Sequence, residues 1–512
     1  MPTPHSIPID ASGTVVHLLA HAARLSPDAQ ALACGATRMS YAAYAAHVAE
    51  FAEELDALGA AGQRVATLLP NSAAACVVTF AVFASGAQLA PLNPLYTQRE
   101  LAQILDDAEP GILIADLQFK TIAQAVAGAA GIRHLILLDA HTRFSSTSTQ
   151  IGATALQLPD PDSPALLQYT GGTTGVPKGV SLTHRAIATN VAQREALLPT
   201  KQAAERILCV MPLFHSYAMS MGLFLAANCH GSLIVHPRYR PDDVLSAIAS
   251  EKITIFPGSP TIFTGLLSHA GFSNTDWSTL HTCYSGSAPL AEDIMLRWQT
   301  AVGAPVLEGY GQTEAGPILT YNPARGPIKP GSVGIPVPLT EVQIVDLDTG
   351  STPLSNGARG EVRARGPQIM SEYRNRPAET AEALRDGWLY TGDIGEFDND
   401  GYLYIRDRKK DLVIVGGYNV YPREVDEVLF THPAVADAAA IGVKDSYRGE
   451  VIRAYVTLRQ GFLVDAAELI EYCKKNLAIY KVPVRIDLLP EIPKTSVNKT
   501  DKKALRELAR RS

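Results

Sequence analysis

Along most of the chain, short apolar runs alternate with longer stretches in which apolar positions recur every three or four residues. That alternation predicts buried strands separated by amphipathic helices, an α/β architecture. "RVATLLP" (64–70), "GILIAD" (111–116) and "HLILLD" (134–139) read as strands. Within "NPLYTQRELAQILDDAEP" (93–110), Thr97 is followed three residues later by Glu100, the capping box that opens a helix. "AAACVVTFAVFASGAQLA" (73–90) is the most apolar stretch, but Thr79, Ser85, Gly86 and Gln88 interrupt it. It falls short of the roughly 18 apolar residues a membrane span needs, and reads as a buried helix.

The texture then changes three times. Residues 139–163 are rich in Ser, Thr, Pro and Asp, a surface connection. From 206 to 320 the strands "RILCVMPLF", "GSLIVHP", "ITIFPGSP", "LHTCYSG" and "PVLEGYG" mostly end in glycine, proline or a small polar residue, where open α/β sheets keep their ligands. Between 331 and 405, "EVQIVDLDTG", "GEVRARG" and "GYLYIRD" suggest a small β subdomain. The charged run "DRKKD" (407–411) follows. After it, the strand "LVIVGG", a helix from Pro422, the strands "AVADAAAIGV" and "IRAYVTLR" and a helix near 465–477 read as a separate α+β unit. The expected division is a large N-terminal domain over 1–406, a connection over 407–411 and a small C-terminal domain over 412–512.

Composition narrows the function. With 512 residues, 46% of them apolar, the chain can fill several cores. A net charge of −7 without a sustained basic block argues against a nucleic-acid partner. The six cysteines are scattered, with neither C-x-x-C spacing nor a His/Cys cluster, and read as small buried apolar residues. The first residues lack the pattern of a secretory signal, so a soluble, cytoplasmic protein is expected.

One loop invites chemistry. "LLQYTGGTTGVPKGV" (166–180) packs four glycines and three threonines between apolar flanks, with Lys178 near its end. Glycines let backbone amides approach an anion, threonine hydroxyls add donors, and lysine adds charge. The nucleotide-binding G-x-x-x-x-G-K-[S/T] loop is ruled out, because Lys178 follows Pro177. On residue chemistry alone, this is an anion cradle.

Three further stretches follow in order: "EGYGQTEAGP" (308–317), "YTGDIG" (390–395) and "DRKKDLVIVGGYNVYPREVDEVL" (407–429). Together with the loop they resemble the adenylate-forming superfamily of acyl-CoA synthetases, peptide-synthetase adenylation domains and luciferases. "NPLYTQREL" and "GGYNVYPREVDEV" are most similar to bacterial long-chain fatty acyl-CoA ligases. The resemblance runs over nearly the whole chain and implies a mobile C-terminal domain. It also implies a two-step reaction: a carboxylate joined to AMP with loss of pyrophosphate, then displacement of AMP by a thiol.

The same resemblance implies roles. Thr170, Gly171, Gly172, Thr173, Thr174, Gly175 and Lys178 would hold the β- and γ-phosphates of ATP. Glu314 would hold Mg²⁺ together with the Thr170 hydroxyl, a donor set suited to a hard ion. Thr313 would touch the α-phosphate. Gly286, Ser287, Ala288 and Pro289 on one side, and Glu308, Gly309, Tyr310 and Gly311 on the other, would line adenine. Asp393, helped by Arg408, would bind the ribose hydroxyls, although an aspartate in a turn is by itself more often a cap. His215, in "PLFHSYAM", would gate acid pocket and thiol tunnel; a lone histidine after an apolar run is ordinarily core. "SYAMSMGLFLAAN" fits an acyl-pocket wall or a core helix equally. Lys499, in "PKTSVNKTDKKAL", would be the catalytic lysine, favoured by spacing over Lys502 and Lys503. Relatives carry glycine before it where this chain has Asn498, which tolerates left-handed backbone. Lys410 matches the hinge pivot, and Gly416, Gly417 and Tyr418 would admit the pantetheine arm.

The expected activity is an ATP-dependent carboxylic acid–CoA ligase acting on medium- or long-chain fatty acids, with ATP, Mg²⁺ and coenzyme A. Two other readings stand beside it: an aryl-CoA ligase for cinnamate- or benzoate-like acids, since "PLFHSYAM" also resembles plant coumarate ligases, and an enzyme that loads a carrier protein. No carrier-type D-S-L motif follows. The oligomeric state stays open, a homodimer included.

Overall fold

The computed structural model describes residues 13–139, 143–144, 156–170, 177–415, 418–445, 447–495 and 499–511. Gly171–Gly175, Gly416, Gly417, Asn498 and much of the expected 139–163 connection lie outside them.

Two large sheets and two small ones organise the described chain. The first has nine strands and a parallel centre, with Gln30–Cys34, Ser232–Val235, Arg206–Cys209, Ile255–Gly258, Thr282–Ser285 and Val306–Tyr310 side by side. Its antiparallel additions are Thr37–Ser40 at one edge and Thr320–Tyr321 and Ile335–Pro336 at the other. The second has seven strands. Arg64–Leu68 pairs in parallel with Gln88–Pro91 and Ile112–Asp116, and Pro164–Thr170 turns back antiparallel onto Lys178–Thr183.

The chain enters the first sheet, leaves to build the second, then returns, so the two faces close on a shared core. The helix Ala73–Ala84 lies in that core with all twelve residues buried. A helix without a polar face has to be covered on every side. Ser72 caps it, its hydroxyl accepting from Ala75 N–H at 3.1 Å, and Phe80 sits edge-on to Tyr44, Phe83 and Phe224. Among the described residues no helix is long and apolar enough to cross a membrane. Thr97 and Glu100 form the expected capping box. All six cysteines are free, five of them buried.

The expected β subdomain is a five-stranded sheet built on Glu341–Val345, Gly360–Arg365, Trp388–Phe397 and Leu403–Arg408, with a short strand at Leu384–Arg385. The C-terminal part has its own sheet. Val435–Asp445 and Gly449–Leu458 form its long hairpin, covered by Pro422–Phe430 and Ala466–Asn476 around a separate core.

"DRKKD" is not simply a solvated run. Asp407 and Asp411 are buried, and Lys502 and Arg506 of the last helix, Lys502–Arg511, pair with them. Lys409 reaches Glu361 at 2.8 Å. The charged stretch is pinned at both acidic ends.

Candidate active site

Glu308, Gly309 and Tyr310 end the parallel strand Val306–Tyr310, and Asp393 lies within Trp388–Phe397 of the β subdomain. One hydrogen bond ties the two: the Tyr310 hydroxyl donates to Asp393 Oδ2 at 2.6 Å. On the other oxygen, Arg408 Nε stands 3.2 Å from Asp393 Oδ1, brought there by strand register, in which Asp393 and Arg408 are direct partners. Asp393 is only 5% exposed, and burial raises its carboxyl above the ordinary range against the pull of Arg408, the Tyr310 bond and Lys499. The Asp393 carboxylate in turn holds Arg408 above its usual range. Half of the Arg408 side chain meets water, so the pair serves orientation more than stability.

Lys499 enters from the C-terminal domain. Burial and the Arg408 guanidinium hold its amine below the ordinary lysine range, while Asp393 and Glu314 pull the other way. One amine thus shares a cleft with two carboxyl groups and a guanidinium contributed by the other domain. Its backbone is fixed by a small bridge, with Thr495 N–H donating to the Lys499 carbonyl at 2.6 Å.

Glu314 lies in the single turn Thr313–Ala315, 9% exposed. Its Oε1 accepts from the Tyr373 hydroxyl at 2.7 Å, and the Tyr373 ring receives the Lys178 ammonium 5.0 Å from its centroid. Tyr373 therefore links loop and carboxylate. Thr170 and Lys178 face each other across the hairpin that carries the loop. Thr313 Oγ1 is 3.4 Å from Ser216 Oγ, the residue after His215.

His215 caps the helical stretch that begins at Ser216, its Nδ1 accepting from Tyr217 N–H at 3.3 Å. Burial, with Lys499 close by, pushes its pKa down to about 3, so the ring is neutral at pH 7 and its proton sits on Nε2. The following "SYAMSMGLFLAAN" is buried core, passing through a π-helical turn at Met219–Phe224. Its first turn meets a motif residue: a Cβ on Gly286 would lie 2.8 Å from the Tyr217 ring. Likewise, a Cβ on Gly309 would lie 2.4 Å from the Tyr321 ring.

Ser287, at φ +71°, Ala288 and Pro289 form the turn after Thr282–Ser285. The Glu308 side chain points under that turn, accepting from Leu290 N–H at 3.0 Å. Burial raises its pKa to about 7. A carboxyl that ionises near 4.5 in the unfolded chain and near 7 when folded costs stability progressively as pH climbs through that window. Glu308→Gln is therefore expected to match the parent in stability below about pH 4.5 and exceed it by about 2–3 kcal/mol near pH 7 in denaturant titrations. Two predicted residues are exposed to solvent. Tyr418 is exposed and stacks on Tyr480 with centroids 4.6 Å apart, and Lys410 is exposed beside the pinned run.

Comparisons with known proteins agree with this layout. The family model "AMP-binding enzyme" matches residues 19–374, and "AMP-binding enzyme C-terminal domain" matches 424–499. A long-chain-fatty-acid–CoA ligase of Bacillus subtilis is 38% identical over 482 residues, covering 87% of this chain and 85% of the relative. A feruloyl-CoA synthase of an Amycolatopsis species is 36% identical, with 93% and 95% covered. The crystal structure of ATP-bound MatB from Rhodopseudomonas palustris superposes with a TM-score of 0.89 at 30% identity over 96% of this chain and 98% of that one. With both family domains matched along one chain, the chain belongs to the AMP-binding, adenylate-forming enzyme family.

Proposed function

We propose that this enzyme joins a carboxylic acid to coenzyme A at the expense of ATP. In the first step a carboxylate oxygen attacks the α-phosphorus, the bond to pyrophosphate breaks, and an acyl-adenylate forms. In the second the thiol sulfur attacks the acyl carbon, AMP leaves, and the thiol proton is lost. What supports this most is the convergence of Lys499 with Asp393, Arg408 and Glu314. A cationic amine in a largely dry cleft can stabilise negative charge that builds up between carboxylate and α-phosphate.

The remaining roles follow from residue chemistry. Asp393 accepts the ribose hydroxyls, steadied by Tyr310 and Arg408. Gly286 to Pro289 and Glu308 to Gly311 line the base, and Thr313 meets the α-phosphate. Thr170 with Gly171, Gly172, Thr173, Thr174, Gly175 and Lys178 grips the outer phosphates. The donors fit Mg²⁺: Glu314 keeps one carboxylate oxygen beyond its bond to Tyr373, Thr170 offers a hydroxyl, and nucleotide phosphates complete an oxygen shell. When bound, the ion neutralises phosphate charge. Residues 407–411 act as the hinge, with Lys410 as pivot, between domains at 1–406 and 412–512. Rotation there withdraws Lys499 and brings Gly416, Gly417 and Tyr418 to the thiol channel.

For the acid, medium- and long-chain fatty acids are the first reading, in line with the long-chain relative. Aryl acids are the second, in line with the feruloyl-CoA synthase relative. CoA-dependent AMP release across fatty, aryl and dicarboxylic acids, with a holo carrier protein in parallel, tests both. A preference for aryl acids would remove the fatty-acid reading, and activity only with the carrier protein would remove coenzyme A.

A further inference from the structure

A narrow pocket opens beside His215, between the turn after Gln88–Pro91 and the strand Pro164–Thr170. Leu92, Tyr96, Ile104 and Phe214 give it apolar walls. Two amide side chains also line it, and neither is satisfied. Asn93, 3% exposed, uses Oδ1 to accept from Leu95 N–H at 2.9 Å, which fixes the orientation of the amide, and its buried Nδ2 has no partner. Gln168, 5% exposed and following three apolar residues on its strand, has a buried Oε1 without a partner.

Each such orphan costs about 1–3 kcal/mol, so a pair in one pocket calls for a ligand that completes it. The pair offers one donor and one acceptor. An aliphatic tail would leave both unmatched, and a carboxylate, an acceptor only, would face the Gln168 oxygen. A secondary amide matches both, its carbonyl accepting from Asn93 and its N–H donating to Gln168. The pantetheine arm of coenzyme A carries such amides behind its thiol, and the pocket adjoins the histidine set between acid and thiol.

We propose that Asn93 and Gln168 bind a secondary amide of the pantetheine arm and so align the thiol for attack. This rests on the CoA-ligase reading above. An amide-bearing acid is the other source of the same chemistry, and the measurements separate the two.

Two variants of the full-length enzyme test the assignment. Gln168→Met keeps length and loses the acceptor; Asn93→Asp keeps the bond to Leu95 N–H and loses the donor. With acyl-adenylate supplied, thiolysis would be measured with coenzyme A, with N-acetylcysteamine, which has one secondary amide near its thiol, and with 1-propanethiol, which has none. Both variants should lose about tenfold in kcat/KM for the two amide-bearing thiols and less than about twofold for 1-propanethiol. Equal losses with all three thiols, or none, would overturn the proposal. A raised KM for the acid in thiol-free pyrophosphate release would also overturn it, by giving the pocket to the acid. If the parent enzyme released no AMP with coenzyme A and any acid, the ligase reading itself would fall and take this inference with it. Thermal melting of both variants separates lost binding from lost folding, and a deficit reproduced by two chemically different, folded variants belongs to the pocket.

Discussion

Lys499→Ala should slow acyl-adenylate formation at least about a thousandfold while thiolysis of supplied adenylate stays within about threefold of the parent. Two neighbouring cations are engaged elsewhere: Arg408 with Asp393, and Lys502 with Asp407 and Asp411. Single-turnover pyrophosphate release reads the first step, and thioester formation from synthetic adenylate reads the second. Equal loss in both would remove Lys499 from the proposed role. The pH profile adds a second readout. Burial and Arg408 keep the amine below the ordinary lysine range, so its proton, and adenylation with it, should be lost at a lower pH than a free lysine would give. Asp393→Asn removes a carboxylate that pulls the other way and should move that limb to still lower pH. His215, neutral from about pH 3 upward, contributes no limb in the working range.

Gly311→Ala should damage stability and catalysis together. A Cβ there would lie 1.9 Å from the Pro317 carbonyl oxygen and 3.1 Å from Ile318 Cα, backbone on a closed loop that cannot swing aside. The loop is tied at its base by Leu319 N–H donating to the Tyr310 carbonyl at 2.9 Å, and it carries Thr313 and Glu314. Relief means opening it, at a cost of about 2–4 kcal/mol, with Glu314 displaced from Tyr373. Urea unfolding should show the loss, and kcat/KM for ATP should drop by about two orders of magnitude. Gly128→Ala is the contrast. It lies in the helix Lys120–Ala129 with open space around its Cβ position, and should be neutral or gain up to about 1 kcal/mol. If both variants behaved alike, steric closure of the motif loop would not be what that glycine provides.

The strands and the C-terminal unit were readable because short apolar runs have few alternatives. Tyr373 was not. It sits in "SEYRNRP" with no periodic signal, and reaches Glu314 only because Glu372–Tyr373 pairs with Val180 and Ser181, far away in sequence. Gln168 hid inside the quoted loop motif, where a polar residue on a buried strand looks like an exception to the pattern and not a feature. "SYAMSMGLFLAAN" could not be resolved between wall and core, since burial in protein and contact with an acyl chain select the same residues. The burial within the charge run at 407–411 was not legible either, because it comes from long-range pairing of the two aspartates with Lys502 and Arg506.

That pairing has a mechanical consequence. Lys502 and Arg506 follow Lys499 within a few residues, and they grip the stretch proposed above as the hinge. The amine and the axle therefore travel as one lever. If the small domain swings between half-reactions, the gear is already engaged: a turn at 407–411 carries the lysine with it.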